Sequence, residues 1–175
     1  MADQAARIAH TGFCYGNARV AAAAATVLDL HGMAGGQCIF LCSGSEAVEY
    51  GVRVAQALSD GPLLMTMHDS YFGAYGSARR REASAWLSFD WSDCAGCTHS
   101  CCSEACPHWA AIPFDRIGGF LFEPGSASGL VRFPPDKLIR AIVDTIKAQD
   151  GLLLVNEVTT GMGRTGKWFG YQHYG

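Results

Sequence analysis

Apolar residues along this chain occur in two kinds of segment, short uninterrupted runs and longer amphipathic stretches. Uninterrupted apolar runs are typical of parallel strands covered on both faces, and they predict strands at residues 38–42, 63–67, 118–123 and 152–158. Amphipathic stretches predict helices at residues 19–30, 46–58 and 135–149. Because strands and helices alternate, the sequence predicts an α/β fold with a mostly parallel sheet and flanking helices, formed as a single domain over residues 1–175.

The last predicted strand ends in polar residues and a glycine-rich turn. Residues 152–155 are apolar, so Asn156 and Glu157 are expected to be the first side chains that reach a cleft, where open α/β sheets bind ligands. The turn GMGRTG also satisfies the Gly-x-Gly-x-x-Gly pattern of dinucleotide sites, and with Lys167 it approaches a phosphate-binding loop. Trp168 stands where that loop needs Ser or Thr, and a poor helix opening follows, so this alternative is the weaker one.

A second glycine-containing turn precedes the second predicted helix. Gly44 permits close approach of a ligand to the backbone, and a helix start presents free N–H groups with a favourable dipole, so Gly44 and Ser45 are candidates for binding an anion. The alternative is an ordinary helix cap, in which Ser43 or Ser45 caps the helix and Glu46 or Glu49 complements its dipole. The residues alone leave both interpretations open.

Four segments, in the same order, resemble the class III aminotransferases, which are pyridoxal phosphate enzymes of fold type I. The segment NEVTTGMGRTGKW resembles the family's strand with an Asp-Glu-Val or Asp-Glu-Ile triplet before a Gly-x-Gly-Arg-Thr-Gly turn. The other three segments are LCSGSEAVEYGVRVAQAL, HDSYFGAYGSA and FLFEPGSASGLVRFPP. The resemblance covers nearly all of this chain but only the central part of the family's large domain. We therefore expect a partial cofactor-binding large domain, as a truncated product or one piece of a split enzyme.

The resemblance implies cofactor-binding roles for seven residues: Gly44 and Ser45 at the phosphate, Tyr71 and Val158 on the ring, Thr159 near the ring hydroxyl, Glu123 near the active site, and Asn156 at the pyridine nitrogen. Family members have an aspartate in place of Asn156. A carboxylate keeps that nitrogen protonated by charge pairing whereas an amide can only hydrogen-bond, so a weaker electron sink is expected. On residue type alone, Tyr71 would be assigned to core packing and Glu123 to a solvated turn.

The family transfers an amino group from an amine or amino acid to a keto acid. Its members hold the cofactor as a Schiff base on a lysine well after the Gly-Arg-Thr-Gly turn, and none of Lys137, Lys147 and Lys167 matches that position. We therefore assign no catalytic residue, and expect an aminotransferase, or a truncated piece of one, that needs a lysine from elsewhere. Family members act mainly as dimers, so a homo-oligomer or a complementing chain is the expected partner.

Five of the eight cysteines cluster in the segment DCAGCTHSCCSEACPHW, in a loop expected at residues 90–110. The cluster contains Cys94, Cys97, Cys101, Cys102 and Cys106, together with His99 and His108. Ligands at such spacing can close a tetrahedral zinc site or hold an iron–sulfur cluster. Reduced loop thiols and a regulatory disulfide are the alternatives. The loop also supports a second function, a non-catalytic metal-binding or redox module on the same scaffold, although no metal ligand is assigned.

Composition and charge narrow the possible classes of function further. A net charge of −3 gives no basic footprint for nucleic acid, and the arginines at residues 79–81 are interpreted as a solvated loop face or a phosphate neighbour. With 49% hydrophobic and 17% charged residues, the chain can form a globular core. We find neither a leader pattern nor a stretch long enough to span a membrane, and the α/β pattern is that of an intracellular enzyme, so we expect no membrane partner and a cytoplasmic location.

Overall fold

The computed structural model of the protein describes residues 2–8, 10, 12, 15–100, 102–126 and 131–175. The chain forms two compact units, Met1–Phe40 and Leu41–Gly175, and the single-domain interpretation stays a prediction. The first unit contains the helices α1 (Ala2–Arg7) and α2 (Ala18–Leu30). Helix α2 begins where the Asn17 side chain accepts a hydrogen bond from the Arg19 N–H at 2.9 Å. The helix predicted at residues 19–30 is confirmed.

The second unit is built on a four-stranded parallel sheet in the order β2-β1-β3-β4. Its strands are β1 (Leu63–Met67), β2 (Trp86–Phe89), β3 (Ile117–Phe122) and β4 (Leu152–Val155). Its helices are α3 (Gly44–Leu58), α4 (Ser77–Arg80), α5 (Pro107–Ala110) and α6 (Asp136–Ala148), with 3₁₀ turns at Ser92–Cys94, Phe114–Arg116 and Gly170–His173. The predicted α/β class is confirmed. No helix of the described residues combines the length and apolarity needed to cross a membrane.

Both faces of the central strands are buried, which explains why those strands show no polar alternation. Along β3, Phe120 and Phe122 belong to one hydrophobic cluster, in which α6 buries Ile142. Leu121, between them, belongs to a second cluster, which includes Val52 of α3. Because successive side chains of a strand point to opposite faces, α6 and α3 cover opposite sides of the sheet. The carboxyl ends of the strands stay open between these two layers.

The strand predicted at residues 38–42 does not form, and that prediction is wrong. Residues 38–41 have no regular structure, and the side chains of Ile39 and Phe40 are 52% and 53% exposed. A short apolar run becomes a strand only where a neighbouring strand supplies hydrogen-bond partners, and no strand of the described residues pairs with this segment. Conversely, no pattern in the sequence predicted β2. In that strand only Trp86 is fully buried, so the apolar run is interrupted.

The connection from α3 to β1 passes against β3 at Gly61. A Cβ at Gly61 would lie 2.3 Å from the backbone nitrogen of Gly118 and 2.5 Å from its Cα, so a side chain forces the backbone to move. We expect Gly61→Ala to lower the free energy of unfolding by about 2 kcal/mol, as measured by urea denaturation. Gly96→Ala is the control, because a Cβ there meets no atom within 4 Å. Equal stability of the two variants would contradict the close approach.

Candidate functional site

A cavity of about 210 Å³ lies where the strands of the sheet end. Its lining comes from four segments: Gly44, Ser45 and Val48 of α3, Tyr71, Phe72 and Gly73 after β1, Glu123 after β3, and Asn156, Val158 and Thr159 after β4. All seven residues for which the resemblance implies a cofactor role are in this set. Val48, Phe72 and Gly73 complete it. The structure thus brings the predicted residues together, while their cofactor role stays a prediction.

The start of α3 both caps the helix and presents free donors to the cavity. The Ser43 hydroxyl accepts a hydrogen bond from the Glu46 N–H at 3.2 Å, so Ser43 is the cap and Ser45 is not. This bond leaves the N–H groups of Gly44 and Ser45, at the first two helical positions, without an intrahelical acceptor. The two interpretations of this turn are therefore compatible, since one serine caps the helix while the next two residues face the cavity.

The hydroxyl of Ser45 is oriented by the loop after β1. Its oxygen accepts a hydrogen bond from the Ala74 N–H at 3.1 Å, which leaves the hydroxyl proton available to donate. Gly73 makes this contact feasible, because its φ is +104° and a Cβ there would lie 2.2 Å from the Ser45 Oγ. On the other side, a Cβ at Gly44 would lie 2.9 Å from the Cγ2 of Val158. Both glycines are therefore required by close approach around the cavity.

Glu123 and Asn156 form a buried hydrogen-bonded pair at the deep end of the cavity. Glu123 is 1% exposed and accepts hydrogen bonds from the Tyr71 N–H at 2.9 Å and from the Asn156 Nδ2 at 3.3 Å. The Asn156 Nδ2 also donates to the Tyr71 carbonyl at 3.2 Å, and the Asn156 Oδ1 accepts from the Val158 N–H at 3.3 Å. The alternative that Glu123 is a solvated turn residue is wrong, because its carboxylate ties three loops together. Tyr71, 48% exposed, is not core packing either.

Arg81 holds the loop between β1 and the cavity. Its guanidinium donates to the carbonyls of His68, at 3.1 Å, and Ser70, and it lies over the Phe72 ring. Burial lowers the pKa of Arg81, while the nearby carboxylates of Glu123 and Asp69 oppose that shift. The expectation of a solvated face is wrong for Arg81, although residues 79–80 are exposed. No sequence signal separates Arg81 from the arginines before it.

Glu157, next to Asn156, stabilises the turn that follows β4 and does not line the cavity. Its carboxylate accepts hydrogen bonds from the Thr160 hydroxyl at 2.7 Å and from the N–H groups of Gly170 and Tyr171 at 2.9 and 2.8 Å. β4 ends at Val155, so the strand predicted to residue 158 is shorter and the polar pair lies in the loop. The described residues 156–175 form no α-helix after the glycine-rich turn, so the dinucleotide and phosphate-loop alternatives fail.

None of the three lysines lines the cavity, and all three are among the described residues. Lys137 Nζ donates to the carbonyls of Cys97 and His99 in the cysteine loop, and Lys167 Nζ donates to the Gln172 carbonyl at 2.7 Å. Lys147 lines a different cavity beside α6.

The cysteine loop shows no metal-binding geometry in its described part. Cys94, Cys97 and Cys106 are free thiols, and no three His, Cys, Asp or Glu side chains among the described residues are placed to hold a metal ion. Cys101 lies outside the described residues. Burial raises the pKa of the Cys94 thiol, and the neighbouring thiols raise it further, so Cys94 is poorly suited to redox chemistry. This geometry gives no support to the metal or redox alternative.

Several known proteins that are similar to this chain are described as aminotransferases. Residues 91–175 match the family described as Aminotransferase class-III. The chain is 29% identical to acetylornithine aminotransferase 1 of Bordetella parapertussis, over 98% of this chain and 45% of that protein. It is 42% identical to taurine–pyruvate aminotransferase of Bilophila wadsworthia over 60 residues, which are 34% of this chain and 13% of the relative.

The fold comparison extends the match to nearly the whole chain. The solved structure of taurine:2-oxoglutarate aminotransferase from Bifidobacterium kashiwanohense has a TM-score of 0.77 at 16% identity, covering 99% of this chain and 44% of that one. The chain thus spans less than half the length of these relatives. The family match and the fold match agree with the order of the four cavity-lining segments: residues 91–175 match the class III aminotransferase family, and nearly the whole chain has the fold of the solved aminotransferase structure.

Proposed function

We propose that the cavity binds pyridoxal phosphate and that the chain is the cofactor-binding part of an aminotransferase. The observation that carries this proposal is the convergence of four distant segments on one cavity, with a different chemical group at each end. The Bifidobacterium relative of the same fold is described in complex with pyridoxal phosphate and glutamate. The chemistry of the lining residues provides an independent test of fit.

The α3 end of the cavity suits a phosphate. The free N–H groups of Gly44 and Ser45 lie at the positive end of a fifteen-residue helix, and the Ser45 hydroxyl has a proton to donate. The absence of a side chain at Gly44 and Gly73 lets a ligand approach the backbone donors closely. Negatively charged oxygen atoms at this position would therefore meet several donors at once.

The middle and the opposite end of the cavity suit an aromatic nitrogen heterocycle. Tyr71 and Val158 line the cavity with side chains that are 48% and 60% exposed, so both have apolar surface free to cover a ring. Asn156 and Glu123 place hydrogen-bonding groups at the buried end. Thr159 adds a hydroxyl beside Val158. The lining therefore offers an anion site, two ring-covering surfaces and a polar end, which is the sequence of groups that pyridoxal phosphate needs.

When bound, pyridoxal phosphate supplies an electron sink for moving an amino group between an amino donor and a keto acid. The residues of this chain bind its phosphate, cover its ring and orient it by hydrogen bonds. A proton-transferring lysine is not among the lining residues. The substrates proposed on family grounds are an amino donor and a keto acid acceptor.

Ser45→Ala tests the phosphate end. Removing one charge-assisted hydrogen bond is expected to weaken binding of pyridoxal phosphate about tenfold. Binding of pyridoxal, which lacks the phosphate, is expected to change little, and equilibrium dialysis of both ligands measures the difference. The control is Ser84→Ala, because Ser84 is exposed and distant from the cavity lining. Equal loss for both ligands would show that Ser45 acts only through the loop at Ala74, and absence of saturable binding to the unaltered chain would overturn the proposed function.

A further inference from the structure

The amide of Asn156 has only one group left for a ligand. Its nitrogen carries two protons, and these are donated to the Tyr71 carbonyl at 3.2 Å and to the Glu123 carboxylate at 3.3 Å. Both of these partners are acceptors, and the partner of the Asn156 Oδ1 is the Val158 N–H, a donor. The orientation of the amide is therefore fixed. Its oxygen, which has a second lone pair, is the only atom that can meet a ligand in the cavity.

Because the Asn156 oxygen is a hydrogen-bond acceptor, it favours a ligand atom that donates a hydrogen bond. A neutral pyridine nitrogen is itself an acceptor and gains nothing from the Asn156 oxygen, whereas a protonated ring nitrogen donates to it. The amide thus favours the protonated ring, but without a charge of its own it favours it weakly. A carboxylate, that of Glu123, accepts a hydrogen bond from the nitrogen of the same amide.

Glu123 is positioned to provide the missing charge. It is 1% exposed, and its Oε1 accepts a proton from the same Asn156 nitrogen. A carboxylate that draws on the amide N–H polarises the amide and makes its oxygen a stronger acceptor. The second carboxylate oxygen is held by the Tyr71 N–H at 2.9 Å, so the charge has a fixed place. The Glu123 carboxylate is thus hydrogen-bonded to the Asn156 amide, and the oxygen of that amide faces the cavity.

We propose that Glu123 is a positioning residue that acts through Asn156 to keep the ring nitrogen of a bound pyridoxal phosphate or pyridoxamine phosphate protonated. This inference rests on the proposed function. It assigns to the carboxylate that follows β3 and the amide that follows β4 together the role that the resemblance gives to one aspartate. The electron sink is then stronger than Asn156 alone would allow.

The other charged groups around Glu123 are consistent with this role. Tyr71 and Glu123 are the titratable residues of the cavity lining, and Tyr71 contributes its backbone to the pair. Arg81 interacts electrostatically with Glu123, and also with Arg79 and Asp69. The guanidinium of Arg81 is held by the carbonyls of His68 and Ser70 and favours the charged form of the Glu123 carboxylate.

Nitrogen NMR of pyridoxamine phosphate, isotopically labelled at the ring nitrogen and bound to the full chain, tests the proposal. Pyridoxamine phosphate has no aldehyde, so its binding does not depend on a lysine. The ring nitrogen shift is followed as the pH is raised in the unaltered chain and in Glu123→Gln, which keeps the size of the side chain. A unit charge that acts through one intervening amide in a partly buried site shifts a pKa by about one unit. We therefore expect the bound ring to lose its proton about one pH unit lower in the variant.

A double variant separates charge from structure. Glu123→Gln with Asn156→Asp exchanges the amide and the carboxylate, and we expect it to restore protonation of the ring nitrogen to at least the level of the unaltered chain. A structural role alone predicts no such rescue. Binding with the same protonation in the unaltered chain and in Glu123→Gln would overturn this inference and leave the proposed function standing. Failure of pyridoxamine phosphate to bind the unaltered chain would overturn both.

Discussion

Gly73→Ala is expected to weaken binding of pyridoxal phosphate about 100-fold and to lower the free energy of unfolding by about 3 kcal/mol. Two effects combine at this position. The φ of Gly73 is +104°, which disfavours any side chain, and a Cβ would lie 2.2 Å from the Ser45 Oγ and 2.9 Å from the Ser45 Cα. Relief of this clash moves either the loop after β1 or the start of α3. Both movements displace the donors proposed to hold the phosphate.

Gly163→Ala is the matched control. Gly163 also has a positive φ, +84°, but a Cβ there meets no atom within 4 Å. It therefore shares the backbone strain of the Gly73 variant without the clash. We expect it to lose part of the stability and to retain affinity for the cofactor. Urea denaturation and equilibrium dialysis of both variants measure these quantities, and equal affinities would contradict the role given to Gly73.

Glu157→Ala is expected to lower the free energy of unfolding by about 3 kcal/mol. The carboxylate is the acceptor for the hydroxyl of Thr160 and the N–H of Gly170, both buried, and for the N–H of Tyr171. Its removal leaves buried donors without this acceptor, and water reaches them only if the turn opens. Thermal and urea denaturation of the second unit report the loss.

Two substitutions control for this result. Glu157→Gln keeps one acceptor oxygen, so we expect it to lose less than Glu157→Ala. Glu82→Ala removes an exposed carboxylate whose contact with Arg80 is 3.8 Å, and surface pairs of this kind contribute little. If Glu157→Ala were as stable as Glu82→Ala, the carboxylate would not be holding the turn together.

Local patterns in the sequence predicted three of the four strands, and the resemblance to the class III aminotransferases predicted seven residues of the cavity lining. Apolar runs covered on two faces identified β1, β3 and β4, and ordered motifs identified the polar residues that follow those strands. Residues 38–42 have the same apolar pattern without a partner strand, so local pattern could not distinguish them. β2, by contrast, pairs with β1 although its sequence lacks an uninterrupted apolar run. Strand pairing is a property of the whole sheet, which explains both errors.

The apolar and polar pattern alone could not predict which of two neighbouring polar residues lines the cavity and which stabilises a turn. Asn156 and Glu157 both follow β4, yet the first lines the cavity beside Glu123 and the second binds the turn at Gly170. Arg81 likewise looks like part of an exposed run and instead fixes the loop that carries Phe72. These assignments depend on which distant loop passes within hydrogen-bond distance. Spacing along the chain contains no information about that distance.

The parallel pairing of every strand also governs how the sheet can assemble. Leu64 of β1 pairs with Trp86 and Leu63 pairs with Ile117, so no pair of strands is joined by a tight turn. Each pairing must close a long loop before its hydrogen bonds compensate the lost chain entropy, which makes folding slow relative to proteins built from local contacts. The apolar strands remain unpaired during that interval. Recovery of the native protein after denaturation should therefore fall with rising protein concentration, because unpaired strands of different molecules then associate.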